Sequence, residues 1–398
     1  MPLKVAVLVP DGAADLPLDE LEGRTPLEAA STPAMDGVAR SGRCGMARMV
    51  PEGLPPGSDV ANLSLLGYDP LKDFTGRGPI EAANLGVKVE KGWTVFRCNI
   101  VSVEGGRMLD YSAGHLSETG AARATELLQA KLGNQNTRFI KGKSYRNLLL
   151  LKGDLAGARC VPPHDITGER IADNMPSGRS SDRIVELMER SPEALRGLEV
   201  PGSAMIWPWG HGTASRLEPF GEKFHMRGAV ISAVDLINGL GVLAGMDRIE
   251  VPGATGFIDT DYEAKGRAAV RGLDEYDLVY VHVEAPDEAS HMGSVSEKVK
   301  ALERFDRHVV EPVLERLSRP GSRLLVCPDH VTLIKTRTHD SSPVPFAVCG
   351  EGLEPCGADV FSERQAVVGD RFDEGFLLMR SVTGIAPFPW STPVTSRG

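Results

Sequence analysis

The sequence lacks the features that mark extracellular, membrane and nucleic-acid-binding proteins. Its six cysteines are scattered and form no Cys-x-x-Cys pair, which argues against a disulfide framework or a zinc ribbon. No apolar run approaches the roughly 18 residues that a membrane-spanning helix needs, and the run in MPLKVAVLVPDG is too short for a secretory segment. A formal net charge of -10 leaves no basic excess to meet phosphates. We therefore expect a cytoplasmic protein that binds neither nucleic acid nor membranes, with its oligomeric state open.

The composition is that of a globular protein, with 41% hydrophobic and 25% charged residues among 398. A chain of this length exceeds one ordinary hydrophobic core, so two domains are expected. The sequence contains neither an internal repeat nor a low-complexity tract.

Three short apolar runs are typical of buried parallel strands. They are residues 4–9, 278–283 and 323–327, and each leads into an aspartate: Asp11, Asp287 and Asp329. Residues 294–316 carry apolar side chains at helical spacing. This order of strands and helix predicts an open α/β sheet with a site beyond the carboxyl ends of its strands.

The middle of the chain has a different pattern. Residues 94–101 and 147–151 resemble strands, residues 118–132 predict a helix, and residues 162–182 form a loop rich in Pro, Gly and Asp. We interpret residues 92–210 as an inserted α+β domain. The chain then returns to the first domain near Gly228.

Several potential metal ligands follow these strands. Asp287 and His291 are four residues apart, so on a helix they share one face and can bind one cation. The Asp329-His330 pair follows the third strand, and His339 comes soon after. Each feature alone has an ordinary structural explanation, such as a surface ion pair or a turn cap. Together the Asp and His side chains suit two divalent cations. Mn2+ is the first candidate, with Zn2+, Co2+ or Mg2+ as alternatives.

The segment PPGSDVANLSLLGYD supplies a candidate nucleophile, Ser58, where a Pro/Gly loop meets an amphipathic helix. We predict Ser58 at the N-cap, where free backbone N–H groups and the helix dipole favour a phosphoryl group. Beside a divalent cation its hydroxyl can attack phosphorus. Asn62, one helical turn later, is predicted to contact the same phosphoryl group. The alternative is that Ser58 only caps the helix.

These residues and their order resemble the cofactor-independent phosphoglycerate mutases of the archaeal type, in the alkaline phosphatase superfamily. The resemblance covers nearly the whole chain. Its most specific segments are PDGAADLP, PPGSDVANLSLLGYDP, TGRGPIEAA, DYSAGH, VPGATGFIDTDYEAKG, VEAPDEASH and THDSSPVP. It implies a three-layer α/β, alkaline-phosphatase-like metalloenzyme core of residues 1–91 and 211–398. The inserted α+β cap, residues 92–210, would close over the substrate.

The resemblance also implies the roles of the ligands. One metal would be held by Asp11, Ser58, Asp329 and His330, and the other by Asp287, His291 and His339. Ser58 would become transiently phosphorylated while a small phosphorylated acid, 3- or 2-phosphoglycerate, is isomerised in glycolysis.

Substrate-binding cations and acid/base groups are also expected, because phosphoryl transfer requires neutralised charge. The candidate cations are Arg77, Arg97, Arg146, Lys265 and Lys335. His115 and His164 are candidate acid/base groups contributed by the cap. Each of these residues could also be an ordinary structural or surface group.

Three other functions stay open. Tyr111 and His115 stand where typical archaeal mutases carry arginine, and phosphoryl transfer to homoserine by a kinase-like relative would use the same metal core. The chain has no Walker loop. A phosphatase would result if water reached phosphorylated Ser58. A non-catalytic relative is disfavoured, because the full set of Asp, His and Ser residues is present.

Overall fold

The apolar runs form strands where their pattern predicts them. The computed structural model describes residues 3–214 and 217–389. The strands in chain order are β1 (Lys4–Pro10), β2 (Arg43–Ala47), β3 (Trp93–Glu104), β4 (Arg107–Asp110), β5 (Thr137–Lys143), β6 (Arg146–Lys152), β7 (Ala158–Arg159), β8 (Ser177–Gly178), β9 (Ser203–Thr213), β10 (Gly228–Ile231), β11 (Asp247–Arg248), β12 (Leu278–Val283), β13 (Ser322–Val326), β14 (Val331–Leu333), β15 (Thr338–Asp340), β16 (Val344–Gly350) and β17 (Asp370–Phe372).

Helices alternate with many of these strands. In chain order they are α1 (Pro26–Ala29), α2 (Pro33–Ser41), α3 (Ser58–Leu65), α4 (Pro70–Asp73), α5 (Arg77–Asn84), α6 (Glu118–Leu132), α7 (Asp182–Ala194), α8 (Phe220–Phe224), α9 (Asp235–Leu243), α10 (Tyr262–Glu275), α11 (Ala285–His291), α12 (Val295–Phe305), α13 (Glu311–Arg316), α14 (Glu363–Ala366) and α15 (Leu378–Val382). Short 3-10 turns occur at Asp19–Leu21, Pro163–Ile166, Ile171–Asn174 and Gly375–Leu377. Within the described residues, no helix combines the length and apolar character needed to cross a bilayer.

The first compact unit, Met1–Phe74 with Leu217–Gly398, contains an eight-stranded mixed sheet. Its order is β11-β10-β12-β1-β13-β16-β2-β17. At its centre β1 is parallel to both β12 and β13, with Val7 opposite Tyr280 and Leu325. The carboxyl ends of these three strands therefore lie at one edge. Every residue of β12 is buried, as expected of a central strand.

The second compact unit, Thr75–Arg216, contains an antiparallel sheet of order β4-β3-β6-β5, with β9 also paired to β3. Its apolar core joins the sheet to α6 and α7, through residues such as Leu128, Ile184 and Leu149. Residues 75–91 and 211–214, assigned from the sequence to the core domain, lie in this unit. The reason is that α5 buries Ala82 against Val95 and Leu150 of the second unit's sheet.

The helix predicted over residues 294–316 is confirmed, but it is not regular throughout. A π-helical turn, Asp306–Val310, separates α12 from α13, and Pro312 lies in the first turn of α13. Proline cannot donate a backbone hydrogen bond inside a helix. The turn keeps Phe305, Val309 and Val310 buried in the core while absorbing this break.

A buried ion pair holds the loop that follows β1. The Nζ of Lys298 lies 2.9 Å from Oδ2 of Asp15, and their side chains are 0% and 1% exposed. Lys298 also donates to the carbonyl of Thr332 at 2.8 Å, and Asp15 accepts from the backbone N–H of Ile334 at 3.2 Å. These bonds join α12, the loop after β1 and the β14–β15 hairpin.

We predict that Lys298→Met lowers the free energy of unfolding by about 3–5 kcal/mol, because it leaves the Asp15 carboxylate buried and unpaired. Urea denaturation is the measurement. Lys300→Met, on the exposed face of the same helix, is the control and should change stability by less than about 0.5 kcal/mol. Equal denaturation midpoints for the two variants would contradict this interpretation of the pair.

Candidate metal centre

The three aspartates predicted at strand ends meet at one edge of the main sheet. Asp11 follows β1 directly, and its N–H donates to Val283 O at the end of β12 at 3.0 Å. Asp287 lies in α11, which begins after β12, and Asp329 follows β13. Because β12 and β13 flank β1 in parallel, these carboxyl groups converge.

Gly12 makes this convergence possible. Its φ is +60°, and an added Cβ would lie 2.5 Å from Thr332 Oγ1 and 2.6 Å from Asp287 Oδ1. Its N–H donates to Oδ1 of Asp329 at 3.2 Å. Only glycine combines this backbone conformation with so close an approach.

Ser58 lies beside this cluster. It is the first residue of α3, whose N-cap is Gly57, so the predicted cap position is wrong by one residue. Its Oγ lies 3.2 Å from Nε2 of His330, and the same nitrogen lies 3.4 Å from Oδ1 of Asp11. The hydroxyl of Ser58 therefore faces a histidine of the predicted ligand set, which in turn lies beside the carboxylate of Asp11.

Asn62 is occupied by bonds within the protein. Its Nδ2 donates to Oδ2 of Asp329 at 2.6 Å and to the carbonyl of Ser58 at 2.9 Å. Its Oδ1 accepts from the hydroxyl of Tyr280 at 2.5 Å. Asn62 thus fixes the orientation of Asp329, while its contact with a phosphoryl group stays a prediction.

The side chains of the second predicted ligand set, Asp287, His291 and His339, also lie close to one another. Nε2 of His291 lies 3.1 Å from Oδ2 of Asp287 and 3.0 Å from Nε2 of His339. Nδ1 of His291 lies 2.9 Å from the carbonyl of Arg337, which can only accept. Nδ1 of His291 therefore carries a proton, and its Nε2 faces Asp287 and His339. The hydrogen bond to Asp287 raises the pKa of His291 to about 9, and a bound metal ion would take the place of the proton on Nε2.

Thr332 sets the tautomer of His330 in a similar way. Its hydroxyl donates to Oδ1 of Asp287 at 2.6 Å and lies 3.1 Å from Nδ1 of His330. One hydroxyl has one proton, so His330 must donate from Nδ1. Its Nε2 lone pair then faces Ser58 and Asp11.

Two residues of this cluster, His282 and Glu284, are not among those predicted from the sequence. Nε2 of His282 lies 2.9 Å from Oδ2 of Asp11 and 3.8 Å from Oε2 of Glu284. A histidine inside the apolar strand Leu278–Val283 was the available signal, since an imidazole is seldom buried there without a partner.

A hydrogen-bond chain orients His282. The Oγ of Ser232 accepts from the N–H of Val234 at 3.0 Å and lies 3.3 Å from Nδ1 of His282. When the hydroxyl of Ser232 donates its proton to Nδ1, the imidazole carries its own proton on Nε2, facing Asp11.

The carboxylates of this cluster repel one another and shift each other's pKa values. Burial, then the charges of Asp329, Glu284 and Asp287, raise the pKa of Asp11 well above its usual value. Burial and Asp287 raise the pKa of Glu284 to about 8. Burial also acts to raise the pKa of Asp287, but hydrogen bonds from His291 and His339 outweigh it and hold that pKa well below its usual value.

The residues present fit divalent metal ions. Both carboxylate oxygens of Asp11, Nε2 of His282 and Oε2 of Glu284 are buried without a well-aligned hydrogen bond. Potential ligand atoms converge to within 4.8 Å of one another in overlapping sets: Asp287, His330 and His339; Asp11, His282 and Asp329; Asp11, Glu284 and Asp287. These oxygen and nitrogen atoms lie close together without hydrogen bonds to one another, and a divalent cation could bind them all.

The two predicted lysines of this unit are placed differently. Lys265 is buried, and its Nζ donates to the carbonyl of His282 at 3.1 Å. Burial lowers the pKa of Lys265 to about 8. Lys335 is exposed in the turn between β14 and β15. For both residues, binding of substrate stays a prediction.

The second unit gathers most of its predicted residues around Trp209. The guanidinium of Arg97 lies 4.2 Å from the Trp209 ring centroid and that of Arg77 lies 5.8 Å away. The ring of His164 is 5.3 Å from the same indole. Burial and the charges of Arg97 and Arg77 lower the pKa of His164, although Asp165 opposes this. Arg97 is paired with Glu81, Nε to Oε1, at 2.9 Å.

The other residues predicted in this unit lie nearby or apart. Arg146 stacks over Tyr145 at 5.7 Å, and the Tyr145 ring meets that of Tyr111, which in turn meets His164. His115 is exposed in a turn, with its Nδ1 3.4 Å from the Oγ of Ser112. This contact does not involve Trp209 or the side chains around it.

Comparison with known proteins identifies relatives. Residues 39–200 match the family model described as 2,3-bisphosphoglycerate-independent phosphoglycerate mutase. A protein of that name from Methanosarcina barkeri is 49% identical, with 92% of this chain and 96% of the relative covered. A probable enzyme of that name from Geobacter sulfurreducens is 47% identical, with 95% and 98% covered.

Solved structures support the fold. A protein from Pyrococcus horikoshii has a TM-score of 0.80 at 25% identity, with 98% of this chain and 100% of that chain covered. A cofactor-independent phosphoglycerate mutase from Thermoplasma acidophilum has a TM-score of 0.66 at 23% identity, with 96% and 100% covered. The expected α/β class of this chain is confirmed.

We predict that His282→Ala weakens Mn2+ binding by about 10–100-fold, because Asp11 loses the imidazole whose Nε2 lies 2.9 Å from its Oδ2. Calorimetric titration of metal-free protein measures this. His282→Gln, whose amide can still donate, should recover part of the affinity. His308→Ala, on another element, is the control. Unchanged Mn2+ affinity in His282→Ala would remove His282 from this role.

Proposed function

This chain belongs to the 2,3-bisphosphoglycerate-independent phosphoglycerate mutase family, and we propose that it acts through phosphorylated Ser58 at the metal centre of the first unit. As a member of that family it is an isomerase that moves a phosphoryl group between the hydroxyls of 3- and 2-phosphoglycerate. The observation that carries the proposed mechanism is the approach of the Ser58 hydroxyl to Nε2 of His330, beside Asp11.

The proposed ligand sets follow the two groups in the structure. Asp11, Ser58, Asp329 and His330 would hold one divalent ion, and Asp287, His291 and His339 the other. When bound, these ions would lower the pKa of the Ser58 hydroxyl and neutralise charge on phosphoryl oxygens. Mixed imidazole and carboxylate donors favour Mn2+ among the candidates.

Ser58 would carry the phosphoryl group between two hydroxyls of the same acid. Its Oγ attacks phosphorus as the bond to the substrate oxygen breaks, and the released hydroxyl takes a proton. The acid then turns, its other hydroxyl attacks the phosphorus on Ser58, and the serine is restored. The position of Ser58 in the first turn of α3 favours a negatively charged group there.

We assign the recognition of the acid to the second unit. Burial lowers the pKa of Arg97, the Glu81 carboxylate opposes this, and repulsion from the charges of Arg77 and Arg146 adds to the lowering. An anionic substrate would relieve that repulsion. His164, kept neutral by burial and by these arginines, is suited to accept a proton, and His115 is the second candidate for this role.

A homoserine phosphotransferase would use the same metal centre, but the relatives that match most of the chain carry the mutase name. We therefore favour the mutase reaction.

We also propose a cytoplasmic location, which agrees with six free cysteines and with a glycolytic reaction. Cell fractionation would test the location.

We predict that Ser58→Ala lowers the isomerisation rate by about a thousandfold or more, because no other group can take the phosphoryl. The Mn2+-loaded protein is given 3-phosphoglycerate without ATP or bisphosphoglycerate, and enolase reports 2-phosphoglycerate. Metal content should stay nearly unchanged. Ser64→Ala, buried on the same helix, should keep its activity. Full activity of Ser58→Ala would exclude the phosphoserine mechanism. Absence of turnover by the parent protein would favour the homoserine reaction.

We predict that Arg97→Met lowers kcat/KM for 3-phosphoglycerate by about 10–100-fold, from the loss of a charged hydrogen bond. Arg138→Met is a matched control, because Arg138 stacks on Trp93 at 4.4 Å but its side chain is 49% exposed. Arg97→Lys should recover part of the loss, and metal content should not change. Equal kinetics for Arg97→Met and Arg138→Met would contradict the assignment.

A further inference from the structure

Two cysteines meet at a place that the reaction does not use. Cys44 lies near the start of β2, and Cys356 lies in the loop that follows β16. The N–H of Cys44 donates to the sulfur of Cys356, with the nitrogen 3.2 Å from Sγ. A backbone hydrogen bond also holds the loop here: the N–H of Cys356 donates to the carbonyl of Gly42 at 2.9 Å.

The surroundings of Cys356 favour a thiolate. Its sulfur accepts the N–H of Cys44, and the thiol of Cys44, the N–H of Ala358 and the guanidinium of Arg43 are close enough to lower its pKa. The hydrogen bond from the Cys44 thiol is the largest of the causes that lower the pKa of Cys356, to about 5, against the opposing effect of burial. The same contact raises the pKa of Cys44.

The two residues differ in their access to solvent. Cys356 is the exposed cysteine, whereas Cys44 is buried, with 1% of its surface accessible. Cys160 is half-buried, and burial raises its pKa to about 12. The other cysteines, Cys98, Cys327 and Cys349, are buried. A dissolved reagent would therefore meet Cys356 first, and Cys44 only through it.

We propose that Cys356 and Cys44 form a hydroperoxide-reactive thiol pair that closes to a disulfide. The Cys356 thiolate attacks one oxygen of a hydroperoxide, the O–O bond breaks, and the alcohol or water leaves after taking a proton. The product is a sulfenic acid at Cys356. The sulfur of Cys44 then attacks that sulfur, the S–O bond breaks, and the hydroxide leaves as water with the proton of Cys44. Two thiols lose two electrons, and the hydroperoxide gains them.

The location separates this pair from the metal centre within the same sheet. Strand β16 runs antiparallel to β13, so Gly350 pairs with Arg323 at the end of β13 away from Asp329. Strand β2 pairs with β16 with Arg43 opposite Val348, also toward that end. A disulfide here would fasten the loop after β16 to β2 without consuming any proposed ligand.

The first test compares thiol reactivity in the metal-loaded full chain. Iodoacetamide at pH 6, followed by peptide mass spectrometry, should label Cys356 about tenfold faster than Cys160 or more, because the thiolate is the reacting species. Cys44→Ala removes the thiol donor and should slow the labelling of Cys356, whereas Cys44→Ser keeps a donor and should slow it less. Equal labelling rates for Cys356 and Cys160 would overturn the proposal.

The second test uses a small excess of hydrogen peroxide, quenched with catalase, and peptide mapping without reduction. The parent chain should give a Cys44–Cys356 linked peptide, and Cys44→Ser should stop at a sulfenic acid that dimedone traps. Cys356→Ser should give neither product and should keep its mutase rate, as should the control Cys160→Ser. A sulfenic acid at Cys356 that persists in the parent chain, with no linked peptide, would exclude Cys44 as the partner.

Discussion

Four carboxylate side chains, three of them buried and one half-buried, meet at one edge of the main sheet, and their mutual repulsion is the constraint on which the site depends. They belong to Asp11, Glu284, Asp287 and Asp329. The parallel order of β12, β1 and β13 forces this convergence, since each strand ends beside the others. Charges brought this close in a dry interior need cations or protons between them. The histidines that surround the carboxylates direct ring nitrogens into the same space, so metal ions would satisfy both sets of groups.

The rest of the first unit holds these groups in place. Gly12 allows the backbone after β1 to approach Asp287, and Asn62 ties Asp329 to the helix that carries Ser58. The buried pair of Lys298 and Asp15 anchors the loop and the hairpin from which His339 extends. A phosphoryl-transfer site works by fixed position, so rigid support of this kind contributes directly to rate.

Much of this arrangement could be predicted from the sequence, for a physical reason. Apolar runs predict buried strands such as Leu278–Val283. Ionisable residues directly after such strands lie at the edge of the sheet formed by the carboxyl ends of its strands. His282 and Glu284 were missed because they lie within and beside such a run, where burial alone does not reveal that Asp11, after β1, is their neighbour. The start of the second unit at Thr75 was also missed, because α5 joins it through side-chain packing and no linker marks the boundary.

The most direct test of the account is to look for the phosphoenzyme itself. Metal-loaded protein is mixed with 3-phosphoglycerate, quenched in acid within one turnover, and mapped by mass spectrometry. The account predicts phosphate on Ser58, appearing and decaying at rates fast enough for the isomerisation. Phosphate on a different residue, or turnover with no phosphoenzyme at any quench time, would contradict it.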